Sequence, residues 1–197
     1  TPEGVISVRL PTPGLHNVMN ALAATATALG MGASLKNVAE GLENYAGVKG
    51  RLQHLTGLNG ALVVDDTYNA NPMSMKAAID VLTVKSGKKM LVLGDMGELG
   101  DDAAELHAEI GRYAKNAGVD ALLTLGNLSQ EMASAFGVGA QHYESVGALV
   151  ADLTSQMQEK STVLVKGSRF MAMERIVNEI ISKSDSRNDI QKNGEVH

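Results

Sequence analysis

Apolar positions recur along this chain with two different periods, and the change from one to the other divides it into segments. Val5 to Leu10 alternates apolar residues with Ser7 and Arg9, the period-two pattern of a half-buried strand, and Pro11-Thr12-Pro13-Gly14 ends it. From Leu15 the chain runs into Ala and Leu, which predicts a helix ending near Gly30 and Gly32. Ser34 caps a second short helix through Asn44, with Leu35, Val38, Ala39 and Leu42 on its inner side. One strand and two helices are too little for an independent core. Residues 1–48 are therefore expected to be the tail end of a domain whose beginning is absent, 49–182 a second domain, and the polar, aperiodic stretch 183–197 a disordered tail.

Gly47-Val48-Lys49-Gly50 reads as the linker, with Arg51 on its far side. Leu52 to Leu58 and Ala61 to Asp66 flank Asn59-Gly60, a strong hairpin signal. Strands then follow at Lys89 to Leu93, Ala121 to Leu125, Gln141 to Tyr143 and Thr162 to Val165. Helical stripes lie between and after them: Met75, Ala78, Ile79 and Leu82; Leu106, Ile110, Tyr113 and Ala114; Phe170, Met173, Ile176, Val177 and Ile180. Asp102 and Glu105 have the spacing of a capping box, Met171 and Met173 read as core filler, and His107 reads as surface or packing.

This alternation predicts an α/β fold: a Rossmann-like, mostly parallel sheet with helices on both faces and an antiparallel edge hairpin. The carboxyl ends of parallel strands share one edge, where ligands bind. That edge collects Asp66 and Tyr68, then Gly94-Asp95-Met96-Gly97-Glu98, then Gly126-Asn127, then Lys166-Gly167-Ser168-Arg169. The stretch Asp65-Asp66-Thr67-Tyr68-Asn69-Ala70-Asn71-Pro72 also has a plain structural reading, with Asn71 as N-cap, Pro72 in the first helical turn and Asn69 in an Asx turn. That reading leaves Asp66 and Tyr68 unexplained.

Composition narrows the function classes. The chain has 197 residues, 44% of them hydrophobic, but only 3% aromatic and no Trp, so stacking platforms for single strands are not expected. A formal net charge of −5 opposes binding to a phosphate backbone, and small molecules are the expected partners, not nucleic acid. No cysteine is present, which removes thiolate chemistry and fits a reducing cytosol. No signal peptide or bilayer-spanning run is legible, so a cytoplasmic protein without membrane contact is expected.

Gly14-Leu15-His16-Asn17-Val18-Met19-Asn20-Ala21-Leu22-Ala23-Ala24, Gly50-Arg51, Asp65 through Ser74, Val92 through Gly100, and Val165-Lys166-Gly167-Ser168-Arg169 together resemble the Mur ligase family. Asp-Thr-Tyr-Asn-Ala-Asn-Pro followed by Gly-Asp-Met-Gly-Glu-Leu-Gly resembles the branch that adds D-alanyl-D-alanine to a UDP-N-acetylmuramoyl-tripeptide in peptidoglycan synthesis. The resemblance implies a ligase in which ATP, with Mg2+, phosphorylates a carboxylate and an amine attacks the acyl phosphate. It assigns Asn17 and Asn20 to adenine, with His16 beside them, although surface amides and a packed histidine fit the same residues. It assigns Arg51 to the phosphates, or else a solvated linker charge, and Asp66 with Tyr68 to the ATP ribose. Asn69, Asn71, Lys166, Ser168 and Arg169 become candidates for the dipeptide, while helix-start charges explain Lys166 and Arg169 as well. Asp95 and Glu98 are candidates for its ammonium group or for holding their own loop. No metal ligand is assigned.

One departure from the family is large. A Gly-x-x-x-x-Gly-Lys-Ser/Thr phosphate cradle is absent: the only Gly-Lys is Gly87-Lys88, with Lys89 after it and Leu82 at the first Gly position. The chain alone is therefore expected to make no product. Three alternatives stay open at this point: a folylpolyglutamate-synthase-like ligase, a non-catalytic nucleotide-binding module, and a receiver domain using Asp65-Asp66, Asp95, Thr124 and Lys166. The 29 residues from Asp66 to Asp95, with one helix and no strand between, argue against the last.

Overall fold

The computed structural model describes residues 1–11, 14–45 and 47–182, apart from the side chains of Leu15 and His16. The expected tail at 183–197 lies outside the described residues. The chain divides into two compact units, Thr1–Val48 and the remainder from Lys49.

The first unit contains α1 (Leu15–Gly30) and α2 (Leu35–Glu43). Ser34 caps α2 as its sequence position suggests, its hydroxyl accepting the Asn37 N–H at 3.2 Å. The strand expected at Val5 to Leu10 does not form. Alternation alone cannot make a strand without a partner ladder, and Val5 is 99% exposed. Only Val38 and Ala39 are buried among the described residues of this unit.

The second unit is a six-stranded sheet in the order β1-β2-β6-β3-β4-β5. Its strands are β1 (Gln53–Thr56), β2 (Leu62–Asp66), β3 (Lys88–Gly94), β4 (Ala121–Leu125), β5 (Ala140–Tyr143) and β6 (Ser161–Lys166). β1 is antiparallel to β2 across a short 3-10 turn at Leu58–Gly60, and the other neighbours are parallel. On the outer side of β1, Ser182 N–H donates to Thr56 O at 2.8 Å and Ile181 bridges Gly57.

The helices are α3 (Pro72–Thr83), α4 (Ala103–Asn116), α5 (Ser129–Phe136), α6 (Val146–Gln156) and α7 (Glu174–Ile180). Their placement follows from handedness. The chain moves outward from β2 to β3, β4 and β5 through α3, α4 and α5, then returns through α6 to insert β6 between β2 and β3. Right-handed crossovers put the outward helices on one face and the returning helix on the other. Strand residues alternate accordingly. Val64, Leu91, Leu93, Leu122 and Leu164 pack with α3, α4 and α5, while Val63, Val92, Leu123, Val163 and Val165 pack with α6 and α7.

Two expectations need correction. Phe170 is not core: residues Arg169–Met171 form a 3-10 turn, Ala172 turns left-handed, and the ring is 67% exposed. Met173, Ile176, Val177 and Ile180 do fill the core. Asp102 makes no side-chain cap, and Glu105 reaches Arg112 instead. Of the two readings of His107, surface or packing, the second holds, for the ring is fully buried.

Candidate functional site

β2 and β6 are adjacent and parallel, yet α3 after β2 and α7 after β6 lie on opposite faces. Such a divergence opens a crevice at the carboxyl ends of the strands, the usual ligand position in this architecture. Asp66 and Lys166 end these two strands as register partners.

Lys166 Nζ lies 2.7 Å from Asp66 Oδ2, with side chains only 4% and 12% exposed. The same ammonium donates to Asn69 O at 2.7 Å. Asp66 Oδ1 accepts the Leu52 N–H at 3.2 Å, and Leu52 adopts φ 48, a left-handed conformation costly for a bulky residue. Asp66 therefore joins the segment after the linker to the centre of the sheet. Its neighbour Asp65 is also buried, its Oδ1 accepting from Thr67 N–H at 3.1 Å and Thr67 Oγ1 at 2.6 Å. Burial pushes the Asp65 carboxyl above its ordinary value, against the opposing pull of the Thr67 hydrogen bonds.

Ser168, two residues beyond β6, ties two further loops together. Its Oγ accepts the Gly97 N–H at 2.8 Å and donates to Ala70 O at 3.2 Å, and its N–H donates to Asp95 O at 3.0 Å. Asp95 turns inward. Its carboxylate accepts the N–H groups of Asn127, Leu128 and Ser129 at 2.9, 3.1 and 2.7 Å, at the start of α5. Gly126, φ 131, must be glycine here, because a Cβ would stand 2.3 Å from Asp95 Oδ1. Asp95 thus fills the anion position of α5 with a carboxylate from its own chain.

The exposed rim carries the remaining candidates. The Arg51 guanidinium lies over the Tyr68 ring, 4.4 Å from its centroid, and Tyr68 N–H donates to Gly50 O at 2.9 Å. Arg169 is largely exposed and bonds Glu174 Oε1 at 2.9 Å. Asn69 Oδ1 accepts the Ala70 N–H, while Asn71 forms a reciprocal cap with Ser74. Asn17 and Asn20 lie on α1 of the first unit; His16 is on α1 also, its side chain outside the described residues.

The second unit therefore brings together Asp66, Lys166, Asn69, Ser168 and Asp95 below a rim of Arg51, Tyr68 and Arg169. Sequence reasoning missed the roles of His107 and Gly126. Among the described residues no group of three or more His, Asp or Glu side chains converges to hold a metal ion. Among the described residues no helix is long and apolar enough to cross a membrane.

Residues 50–169 match the family model described as Mur ligase, glutamate ligase domain. The chain is 44% identical over 179 residues to the UDP-N-acetylmuramoyl-tripeptide–D-alanyl-D-alanine ligase of Escherichia coli, covering 90% of this chain and 39% of that protein. Among solved structures, MurF from Acinetobacter baumannii superposes with a TM-score of 0.83 at 38% identity, covering 91% of this chain and 40% of that one. MurF ligase from Thermotoga maritima, solved in complex with ADP, gives 0.77 at 25% identity over 88% of this chain and 40% of that one. The chain spans about two fifths of the length of the curated relatives it matches.

Proposed function

The chain belongs to the Mur ligase family, and from that premise we propose that it supplies the amine-receiving part of an ATP-dependent ligase joining D-alanyl-D-alanine to a UDP-N-acetylmuramoyl-tripeptide. The observation that carries the reading is Arg51, an exposed guanidinium lying over the Tyr68 ring at the carboxyl edge of the sheet. A planar fork preset in this way suits a phosphate, and losing little freedom on binding raises its value.

In this reaction ATP transfers its terminal phosphoryl group to the tripeptide carboxylate and ADP leaves. The dipeptide amine, having lost a proton, attacks the acyl carbon; the new C–N bond forms as phosphate departs. Arg51 serves the phosphates. Asn17 and Asn20, with His16, remain the residues proposed for adenine, and Asp66 with Tyr68 those on the ribose side. Asp66 serves by fixing Leu52, next to Arg51, as much as by any direct contact. For the dipeptide carboxylate Arg169 is the better cation, because Asp66 already neutralises Lys166. Lys166, Ser168, Asn69 and Asn71 hold the loops that shape that side, and Asp95 fixes its own loop, so the ammonium falls to another group. Magnesium accompanies ATP in such chemistry, and no step assigned to these residues runs through it. The nucleotide substrates of this reading support a cytoplasmic location.

The test is a chimera in which this chain replaces the matching segment of the Escherichia coli relative. Magnesium- and ATP-dependent ligation of D-alanyl-D-alanine is expected, with loss on Arg51→Ala and no product from the chain alone. A folded chimera that binds ATP but rejects D-alanyl-D-alanine would overturn the reading.

A further inference from the structure

α4 buries a stripe made by Ile110, Gly111 and Ala114, and one turn earlier the same stripe holds a histidine. His107 is fully buried, a costly place for an imidazole unless both nitrogens are satisfied. Both are. Nε2 stands 2.9 Å from Met96 N and Nδ1 stands 2.6 Å from Ala103 O. A backbone N–H can only donate, so Nε2 is the bare nitrogen and Nδ1 carries the proton. The carbonyl of the preceding helical turn fixes the tautomer, and the tautomer makes the ring an acceptor for a loop on another element.

That loop follows β3 at the carboxyl edge. Its next amide, Gly97, is held by Ser168, and its Asp95 is spent on α5. The residue after these anchors, Glu98, adopts φ 60 and is exposed. A left-handed conformation in a non-glycine residue persists only where its surroundings over-determine it.

We infer that His107 is a positioning residue: by accepting the Met96 N–H in one fixed tautomer, it sets the loop that presents the Glu98 carboxylate to the ammonium group of the amine substrate. The ligand class is a small primary ammonium compound. This inference rests on the D-alanyl-D-alanine reading and deepens it by naming the group that meets the amine.

Two measurements on the 197-residue chain test it. The first is amide hydrogen exchange. His107→Leu should speed exchange at Met96 by about tenfold or more, the effect of removing one buried acceptor, while Leu91 in β3 keeps its rate. His107→Gln, which restores an acceptor, should recover most of the protection. Unchanged Met96 exchange in His107→Leu, or parallel acceleration at Leu91, would make His107 an ordinary core residue and overturn the inference. The second is a titration followed at backbone amides. D-alanyl-D-alanine should shift Glu98; N-acetyl-D-alanyl-D-alanine, which lacks the ammonium, should not, and Glu98→Gln should abolish the difference. The Glu98 response should be lost in His107→Leu and regained in His107→Gln. Shifts elsewhere with Glu98 silent would sink this inference alone, whereas no response anywhere in the chain would count against the dipeptide reading and leave exchange at Met96 to decide the part of His107.

Discussion

Lys166 and Asp66 are register partners at the ends of two parallel strands, with Nζ and Oδ2 2.7 Å apart and nearly out of reach of water. Each charge is tolerable there because of the other. The pair also receives the Leu52 N–H and reaches the Asn69 carbonyl, so four segments depend on one contact.

Asp66→Asn or Lys166→Met alone should destabilise the second unit by about 3–5 kcal/mol, since either leaves a buried charge uncompensated. Replacing both should cost less than the sum of the two. Urea unfolding of the three variants measures this, and strictly additive losses would show that the two groups do not act as a pair.

Asp65 sets a pH dependence of opposite sign to that of an ordinary paired carboxylate. Burial raises its folded-state pKa above the ordinary 3.8, so the folded protein holds that proton more tightly than the unfolded chain. Its contribution is fully present below 3.8 and is lost as pH rises through the folded value. Asp65→Asn keeps an acceptor for Thr67, and it should stabilise the protein at neutral pH with the gain vanishing below pH 3.8. Thermal melts across pH 3 to 8 check the sign; about equal stabilities at neutral pH would refute it.

Asp95→Ala should cost about 1–3 kcal/mol, because three backbone N–H groups at the start of α5 lose their acceptor together. Gly126→Ala should be at least as harmful through the clash with the same carboxylate. The two variants combined should fall short of additivity, which melting temperatures would reveal.

Gly111 lies within α4, where replacing glycine by alanine ordinarily gains about 1 kcal/mol of helix propensity. Here the sign should invert. A Cβ would stand 2.1 Å from Met132 O on α5, so Gly111→Ala must push the two helices apart, at a net cost of about 1–3 kcal/mol by chemical denaturation.

The sheet and its carboxyl edge were legible because most strands show as apolar runs ending in polar loops, with Asn59-Gly60 marking the hairpin and Asn71-Pro72 opening α3. α5 and α6 were not located, since each buries only one i,i+4 apolar pair, Met132 with Phe136 and Leu149 with Leu153, too short a stripe to mark a helix. Val5 to Leu10 misled because alternation describes a strand's faces and says nothing of its partner. The site was legible as a set of loops but not in its connections. Asp95 reads as a ligand-facing acid until the three amides more than thirty residues later claim it. His107 had one usable signal, its place one turn before Ile110 and Ala114 on the buried stripe.

The residues after α7 do more than end the domain. By bonding Thr56 and bridging Gly57, Ser182 and Ile181 occupy part of the outer flank of β1, a row of backbone groups that otherwise offers itself to any extended chain. Protection of this edge of β1 thereby rests in part on Ile181 and Ser182. A version of the protein trimmed at Ile180 would lose Ile181 from the core and at the same time expose the outer flank of β1 as a template for intermolecular pairing.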